Sequence, residues 1–104
     1  MKLLIVTCLK ENQKDVSSIF REAGIRVFSV TETVGFKDGH QPDLMESWFS
    51  SGEEQYDSLF LFSFTGEREA DKAMQLVREY NQLTSTQFPL RAFQLAVEQS
   101  SHSL

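Results

Sequence analysis

The chain has 104 residues with a formal net charge of −5, and 40% of its residues are hydrophobic. This length favours one domain with a modest core, and no apolar run approaches the roughly 18 residues that a membrane span needs. Lys and Arg are scattered, which disfavours a nucleic-acid surface, and the N-terminal stretch lacks the features of a signal peptide, so we expect a cytoplasmic protein that does not insert into membranes.

The first predicted elements are a strand over residues 2–9 and a helix over residues 13–23. Both faces of the strand are apolar: Leu3, Ile5 and Leu9 alternate with Leu4, Val6 and Cys8. The helix has one apolar stripe at helical spacing, formed by Val16, Ile19, Phe20 and Ala23. Asn12 is expected to cap the start of this helix, and Gly24 is expected to end it.

A second strand is predicted over residues 25–36, followed by a long polar loop over residues 37–55. Loops of this length in compact domains are usually functional or disordered. The third strand covers residues 56–64, with four aromatic residues on one face and leucines on the other. These residues are Tyr56, Phe60, Phe62 and Phe64 on the first face, and Leu59 and Leu61 on the second.

The second helix is predicted over residues 67–81, with Thr65 as its N-cap, and its apolar positions repeat the spacing of the first helix. A loop over residues 82–89 and a fourth strand over residues 90–97 follow. Residues 98–104 are polar and are expected to form a flexible tail.

The element order predicts one α+β domain over residues 1–104, with a ferredoxin-like βαββαβ fold. In this fold an antiparallel four-stranded sheet has both helices on one face. Since the first and third strands are apolar on both faces, the second sheet face also needs cover. Another copy of the chain is the most economical cover, so the pattern predicts a homo-oligomer.

Residues 21–36, REAGIRVFSVTETVGF, resemble the end of the first helix and the second strand of PII signal-transduction proteins, the nitrogen regulatory protein PII superfamily. The matching residues are Gly24, Ile25, Val30, Thr31, Glu32, Gly35 and Phe36. Gly39 and His40 resemble the start of the family's long T-loop, and residues 91–98, RAFQLAVE, resemble its last strand. The element order and length agree along nearly the whole chain.

This resemblance implies a homotrimeric regulatory protein and not an enzyme. PII proteins bind adenine nucleotides in clefts between ferredoxin-like subunits, and the ligand sets the conformation of the T-loop, which docks on a target. The effector implied here is an adenine nucleotide: ATP, ADP or AMP. The implied partners are further copies of the chain and an unidentified target protein, such as an enzyme or a membrane transporter, which loop 37–55 would contact.

The chain departs from the family where ligands bind. Lys37 and Asp38 follow Gly-Phe where the family has Gly-Arg-Gln, and the stretch over residues 84–91 has none of the glycines of the family's B-loop. The chain therefore resembles a PII-like relative more than an orthodox nitrogen regulator. The residues that match the family's nucleotide-contacting segments are Thr33, Gly35, Phe36, Lys37, Asp38, Thr84, Ser85, Thr86 and Arg91. Of these, Lys37 and Arg91 are expected to contact phosphate, and the fork of Arg91 suits it well.

Within the long loop, Met45, Trp48 and Phe49 form an apolar patch. Exposed Trp and Phe residues often anchor a partner protein, and these are predicted to do so. The alternative is that they fold back over the subunit.

A metal site receives little support from the sequence. His40, Cys8 and His102 are weak candidates, and no pair has zinc-like spacing. The alternative function is nevertheless a trimeric, CutA-type metal-binding protein, because one residue per subunit supplies three ligands on a three-fold axis. Glu32 is either a buried acid in a cleft or, as we favour, part of an ion pair. No G-x-S-x-G elbow occurs, so nucleophilic catalysis is disfavoured.

Overall fold

The structure of the chain is a computed structural model that describes residues 1–36, 55–85 and 88–102. Its strands are β1 (Lys2–Leu9), β2 (Ser29–Phe36), β3 (Gln55–Thr65) and β4 (Arg91–Ala96). Its helices are α1 (Gln13–Glu22), which a single 3-10 turn (Lys10–Asn12) precedes, and α2 (Glu67–Thr84). Neither helix in these ranges combines the length and apolarity needed to span a bilayer.

The four strands form one antiparallel sheet in the order β2-β3-β1-β4. The central strand β1 pairs with β3 over its whole length, from Lys2 opposite Thr65 to Leu9 opposite Ser58. On its other side β1 pairs with β4, and β2 and β4 are the edges. The predicted α+β ferredoxin-like fold is thereby confirmed.

The core lies between one sheet face and the two helices. β1 contributes Leu4, Val6 and Cys8, and β3 contributes Leu59 and Leu61. The apolar stripe of α1 packs on them as the sequence predicted, and Phe20 is fully buried. The ring centroid of Phe20 lies 4.9 Å from that of Phe28 in an edge-to-face contact. From α2 the core takes Ala73 and Val77.

The end of α1 is a Schellman motif, which sets the direction of the chain toward β2. Gly24 has φ +89°, a left-handed conformation that glycine adopts without a steric penalty. Its N–H donates to the Arg21 carbonyl at 3.1 Å, and the N–H of Ile25 donates to the Phe20 carbonyl at 2.9 Å. Gly24 therefore ends this helix as predicted.

Of the two predicted N-caps, one is confirmed in position and one is wrong. Asn12 is the N-cap residue of α1 as predicted, but it makes no capping hydrogen bond, because its side chain donates to the Tyr80 hydroxyl instead. Thr65 ends β3, and Gly66 is the N-cap of α2. A Cβ at Gly66 would lie 2.5 Å from a carboxylate oxygen of Glu69, so a glycine leaves room for that acid at the positive end of the helix.

Candidate functional site

The sheet face opposite the helices, here called the open face, is arranged in rows by the strand pairing. Its middle row runs across the sheet through Phe93, Ile5, Phe62 and Ser29, and one neighbouring row holds Leu95, Leu3 and Phe64. Phe64 is 53% exposed and Leu95 is 47% exposed. Both helices pack on the other face, so this half of the open face is an apolar surface without cover from the described elements.

The other half of the open face is polar and lies at the end where β2 leads into residue 37. One row holds Arg91, Thr7, Phe60 and Thr31, and the next holds Leu9, Ser58 and Thr33. The Thr33 hydroxyl donates to the Ser58 carbonyl at 3.4 Å. Four hydroxyl groups and one guanidinium therefore share this end of the sheet.

Thr33 and Arg91, both predicted to contact a nucleotide, lie on the same face but not side by side. β1 and β3 separate their strands, and three strand spacings of about 4.8 Å place them at least about 14 Å apart. One phosphate group cannot contact both residues within a single chain. A ligand that reaches both must be long or must lie between two copies.

Arg91 begins β4, directly after the loop that connects it to α2. Its side chain is partly buried, and its Nε atom is buried without a hydrogen-bond partner among the described residues. A buried donor that lacks a partner is unfavourable, so this nitrogen is suited to donate a hydrogen bond to a ligand or to a neighbouring chain.

Asn81 holds the loop before β4 in place. Its side-chain oxygen accepts a hydrogen bond from the Leu90 N–H, and its side-chain nitrogen donates to the Leu90 carbonyl, both at 2.9 Å. Leu90 is 4% exposed and directly precedes Arg91. This two-point contact therefore positions Arg91 relative to the end of α2.

Replacing Asn81 with Ala is expected to lower the free energy of unfolding by about 1–3 kcal/mol, because two largely buried backbone groups lose their partners. Faster hydrogen exchange at the Leu90 amide, measured by NMR, would report the loosened loop. The matched variant Asn81→Asp keeps the acceptor for the Leu90 N–H and should retain more of that protection. Unchanged exchange in Asn81→Ala would show that the loop is held by other contacts.

Thr84 and Ser85 lie at the C-terminal end of α2. The Thr84 hydroxyl donates to the Tyr80 carbonyl at 2.9 Å, and Ser85 has φ 46°. The C-terminal end of a helix carries partial negative charge, which disfavours an anion there. A phosphate contact by these two hydroxyls stays a prediction, and their setting gives it no support.

Cys8 faces the helices and not the open face. Burial raises the pKa of its thiol to about 11, and the nearby charge of Asp15 adds to this effect. Above Cys8, the Tyr80 hydroxyl donates to an Asp15 carboxylate oxygen at 2.6 Å, and this bond, followed by burial, raises the pKa of Tyr80. A protonated thiol beneath a helix is a poor metal ligand.

The Cys8 thiol is expected to react slowly with iodoacetamide at pH 8. With a pKa of about 11, only about one thiol in a thousand is ionised at that pH, against roughly a tenth at a pKa of 9. The folded state favours the neutral thiol. The contribution of this thiol to the free energy of unfolding is therefore complete below pH 9 and is lost as the pH rises toward 11. Mass spectrometry of alkylated protein with and without urea checks this, and equal labelling rates would contradict it.

Glu32 is an ion-pair residue and not a buried acid. Its carboxylate lies 2.6 Å from the Lys10 ammonium, and both side chains are more than half exposed. The pair lines a cavity of about 240 Å³ together with Thr33, Val34 and Ser58. An exposed pair of this kind stabilises little by itself.

Several predicted residues lie outside the described ranges. They are Lys37, Asp38, His40, Met45, Trp48, Phe49 and Thr86. Gly35 and Phe36 end β2, where they pair with Tyr56 and Gln55. Of the metal candidates, His102 is exposed, and the described residues contain no cluster of three His, Cys, Asp or Glu that could hold a metal.

The sequence reasoning did not single out Thr7, Ser58 or Asn81. Strand alternation places Thr7 with Leu3 and Ile5, and Ser58 with Phe60, so this signal was available. The pairing of Asn81 with Leu90 has no comparable signal, because it depends on how the loop between them turns.

Comparisons with known proteins support the fold. No family model matches the chain, and no curated protein matches it in sequence. Among solved structures, the chain is similar to a protein from Thermus thermophilus that is provisionally described as a PII-like signaling protein. The TM-score is 0.61 at 14% sequence identity, and the match covers 89% of this chain and 82% of that one. The chain therefore has the fold of a PII-like signaling protein.

Proposed function

We propose that the protein is a homotrimeric, PII-like sensor that binds a small anionic effector between subunits and acts on a partner protein. The observation that carries this proposal is the open face. It joins an apolar half to a polar half that holds Arg91, on a fold shared with a PII-like protein. The proposed role is regulatory, which the likeness to a PII-like signaling protein supports.

The apolar half of the open face supports assembly. Large side chains from three adjacent strands form a continuous patch, and patches of this kind usually mark an interface. A second copy offers a surface of the same composition, and closed symmetry is the usual arrangement of copies. We therefore assign the cover of this face to other subunits.

The polar half supports the effector class. Arg91 supplies a planar fork with an unpartnered nitrogen, which matches the oxygens of a phosphate group. Since Thr33 and Arg91 are far apart within one chain, an effector that contacts Arg91 of one copy and Thr33 of another would lie in the cleft between the two copies. An adenine nucleotide, ATP, ADP or AMP, has the phosphate and the length for such a position.

The output segment of the proposed sensor is the long loop over residues 37–55. Residues 37–54 contain Asp38, Asp43, Glu46, Glu53 and Glu54 against Lys37, a net charge of −4 out of the −5 of the whole chain. A basic target surface would complement this segment, with Trp48 and Phe49 as apolar anchors. The effector would act by binding one loop conformation more tightly than another.

Calorimetric titration with ATP, ADP, AMP and a cyclic adenine nucleotide, each with magnesium, tests the effector. We expect micromolar binding of at least one nucleotide, and a loss of about tenfold or more in Arg91→Ala, because charge-assisted hydrogen bonds to phosphate disappear. Lys72→Ala removes the same charge from the exposed side of α2 and should bind as the wild type does.

The failure of all four nucleotides would contradict the effector assignment, and equal binding by Arg91→Ala would contradict the site. Titration with copper and zinc belongs in the same series. Tight binding of either metal in the absence of nucleotide binding would favour the metal-binding alternative.

A further inference from the structure

The two edges of the sheet are joined on the helix side by a series of side-chain contacts. β2 and β4 are the edge strands, and three strand spacings of about 4.8 Å place them at least about 14 Å apart. Glu32 of β2 and Leu90, which precedes β4, therefore cannot contact each other directly. A change at one of them reaches the other either through the sheet or through the helices that cover it.

The first contact ties the 3-10 turn to β2. The Lys10 ammonium lies 2.6 Å from the Glu32 carboxylate. Glu32 is on the face of β2 that is turned toward the helices, because it pairs with Leu59 of the core. Four residues later β2 ends at Phe36, directly before the long loop over residues 37–55. The ion pair also lines the cavity of about 240 Å³, so a ligand in that cavity would contact the pair.

The second contact is made by Tyr80, which holds the start of α1 to α2 at two points. Its hydroxyl accepts a hydrogen bond from the Asn12 side-chain nitrogen at 3.2 Å and donates to an Asp15 carboxylate oxygen at 2.6 Å. Asn12 is the last residue of the 3-10 turn that Lys10 begins, and Asp15 lies in the first turn of α1. The Tyr80 ring packs against the core, which fixes the position of the hydroxyl.

The third contact follows at the next residue of α2. Successive helix positions point about 100° apart, so Tyr80 reaches α1 while Asn81 reaches the loop before β4. Asn81 makes its two hydrogen bonds with Leu90 there, both at 2.9 Å. Backbone hydrogen bonds hold successive residues of a helix in fixed relative positions, so a displacement of Tyr80 also displaces Asn81. The series thus runs from Glu32 to the residue before Arg91.

We propose that Tyr80 is a positioning residue that couples the end of β2 to the segment that holds Arg91. A ligand that displaces the ion pair of Lys10 and Glu32 would then shift Arg91 through Tyr80 and Asn81. This inference rests on the proposed function in one respect, because it takes both ends of the series as effector contacts. The coupling itself belongs to the subunit without ligand and is measured there.

Tyr80→Phe removes the hydroxyl and keeps the ring, so it tests the central contact. Amide hydrogen exchange, followed by NMR on the full chain without effector, should be about two- to tenfold faster at Leu90, because the loss of these hydrogen bonds loosens the end of α2. Ser63→Ala is the matched control. It removes the 2.6 Å hydrogen bond to the Val27 carbonyl, away from the series, and should leave exchange at Leu90 unchanged.

A double-mutant cycle tests whether Tyr80 transmits a change at β2. Glu32→Gln removes the charge that binds Lys10, and it should speed exchange at Leu90 about 1.5- to fivefold in the wild type, since an exposed ion pair is weak. In the Tyr80→Phe background the same substitution should add nothing, so the two effects are not additive. Glu22→Gln removes an equal charge from the exposed end of α1 and should change exchange at Leu90 in neither background.

An equal effect of Glu32→Gln in both backgrounds would overturn the inference, because the change would then travel through the sheet or through the electric field. No effect in the wild type would overturn it as well, and so would unchanged exchange at Leu90 in Tyr80→Phe. The outcome is separable from the proposed function. If no nucleotide bound, the effector assignment would fail while a non-additive cycle would still establish the coupling.

Discussion

Phe62→Lys is expected to leave the protein monomeric at micromolar concentration, because it places a charge in the proposed interface. Phe62 lies in the middle row of the open face, between Ile5 and Ser29 on the neighbouring strands. A lysine there would have to be desolvated in the apolar half of the open face, at a cost of several kcal/mol, which weakens association by about a hundredfold or more. Light scattering or native mass spectrometry would give the stoichiometry directly.

Leu83→Lys is the matched control for this change. Leu83 is 85% exposed in α2, away from the open face. Leu83→Lys adds the same charge there, so it should not change the oligomeric state. Circular dichroism of both variants should equal that of the wild type, because neither side chain belongs to the core. If Phe62→Lys assembled like the wild type, the result would show that the open face is not the interface.

Phe20→Ala is expected to lower the free energy of unfolding by about 3–5 kcal/mol. The Phe20 side chain is fully buried and makes the edge-to-face contact with Phe28, so truncation leaves a cavity between α1 and the sheet. This is a large part of the roughly 5–15 kcal/mol that stabilises a typical domain. Urea denaturation at one fixed protein concentration measures it, with an expected midpoint shift of about 2 M.

Two control variants test whether the loss of stability in Phe20→Ala comes from the cavity. Phe20→Leu keeps most of the volume and should cost about 1.5 kcal/mol or less. Leu83→Ala changes an exposed apolar residue of a helix and should stay within about 0.5 kcal/mol of the wild type. A loss below about 1 kcal/mol in Phe20→Ala would show that the surrounding residues close the cavity.

The strands and helices were predictable where the pattern is local. The alternation of β1 and the apolar stripe of α1 place these elements within one residue of their bounds. The start of β2 was predicted four residues too early, because Ile25, Val27 and Phe28 look like strand residues. In the structure Ile25 belongs to the Schellman motif, Phe28 packs on Phe20, and Val27 is 84% exposed.

The contacts of the two predicted N-caps differ from expectation for another reason. Asn12 is the N-cap residue of α1 as predicted, but Tyr80, which lies 68 positions away, binds its side chain in the folded protein. Thr65 extends β3 by pairing with Lys2 of the central strand. In both cases a contact distant in sequence outweighs a local preference, and local sequence patterns cannot predict such a contact.

The candidate site was predictable in part. Alternation along β1 and β3 placed the open face, and the resemblance of residues 91–98 to a family strand pointed to Arg91. The separation of Thr33 from Arg91 depends on strand order, which places two strands between them. The bonds between Asn81 and Leu90 arise from loop geometry, so neither feature could be obtained from residue types.

The strand order also has a consequence for biosynthesis. β1 is translated first, yet it pairs with β3 and β4, whose residues are translated roughly 50 to 95 positions later. At typical rates of translation this strand waits several seconds for both neighbours, with both of its faces apolar. A ribosome that stalls before residue 91 would expose one whole edge of the central strand, so nascent chains of this protein should depend on chaperones more than their small size suggests.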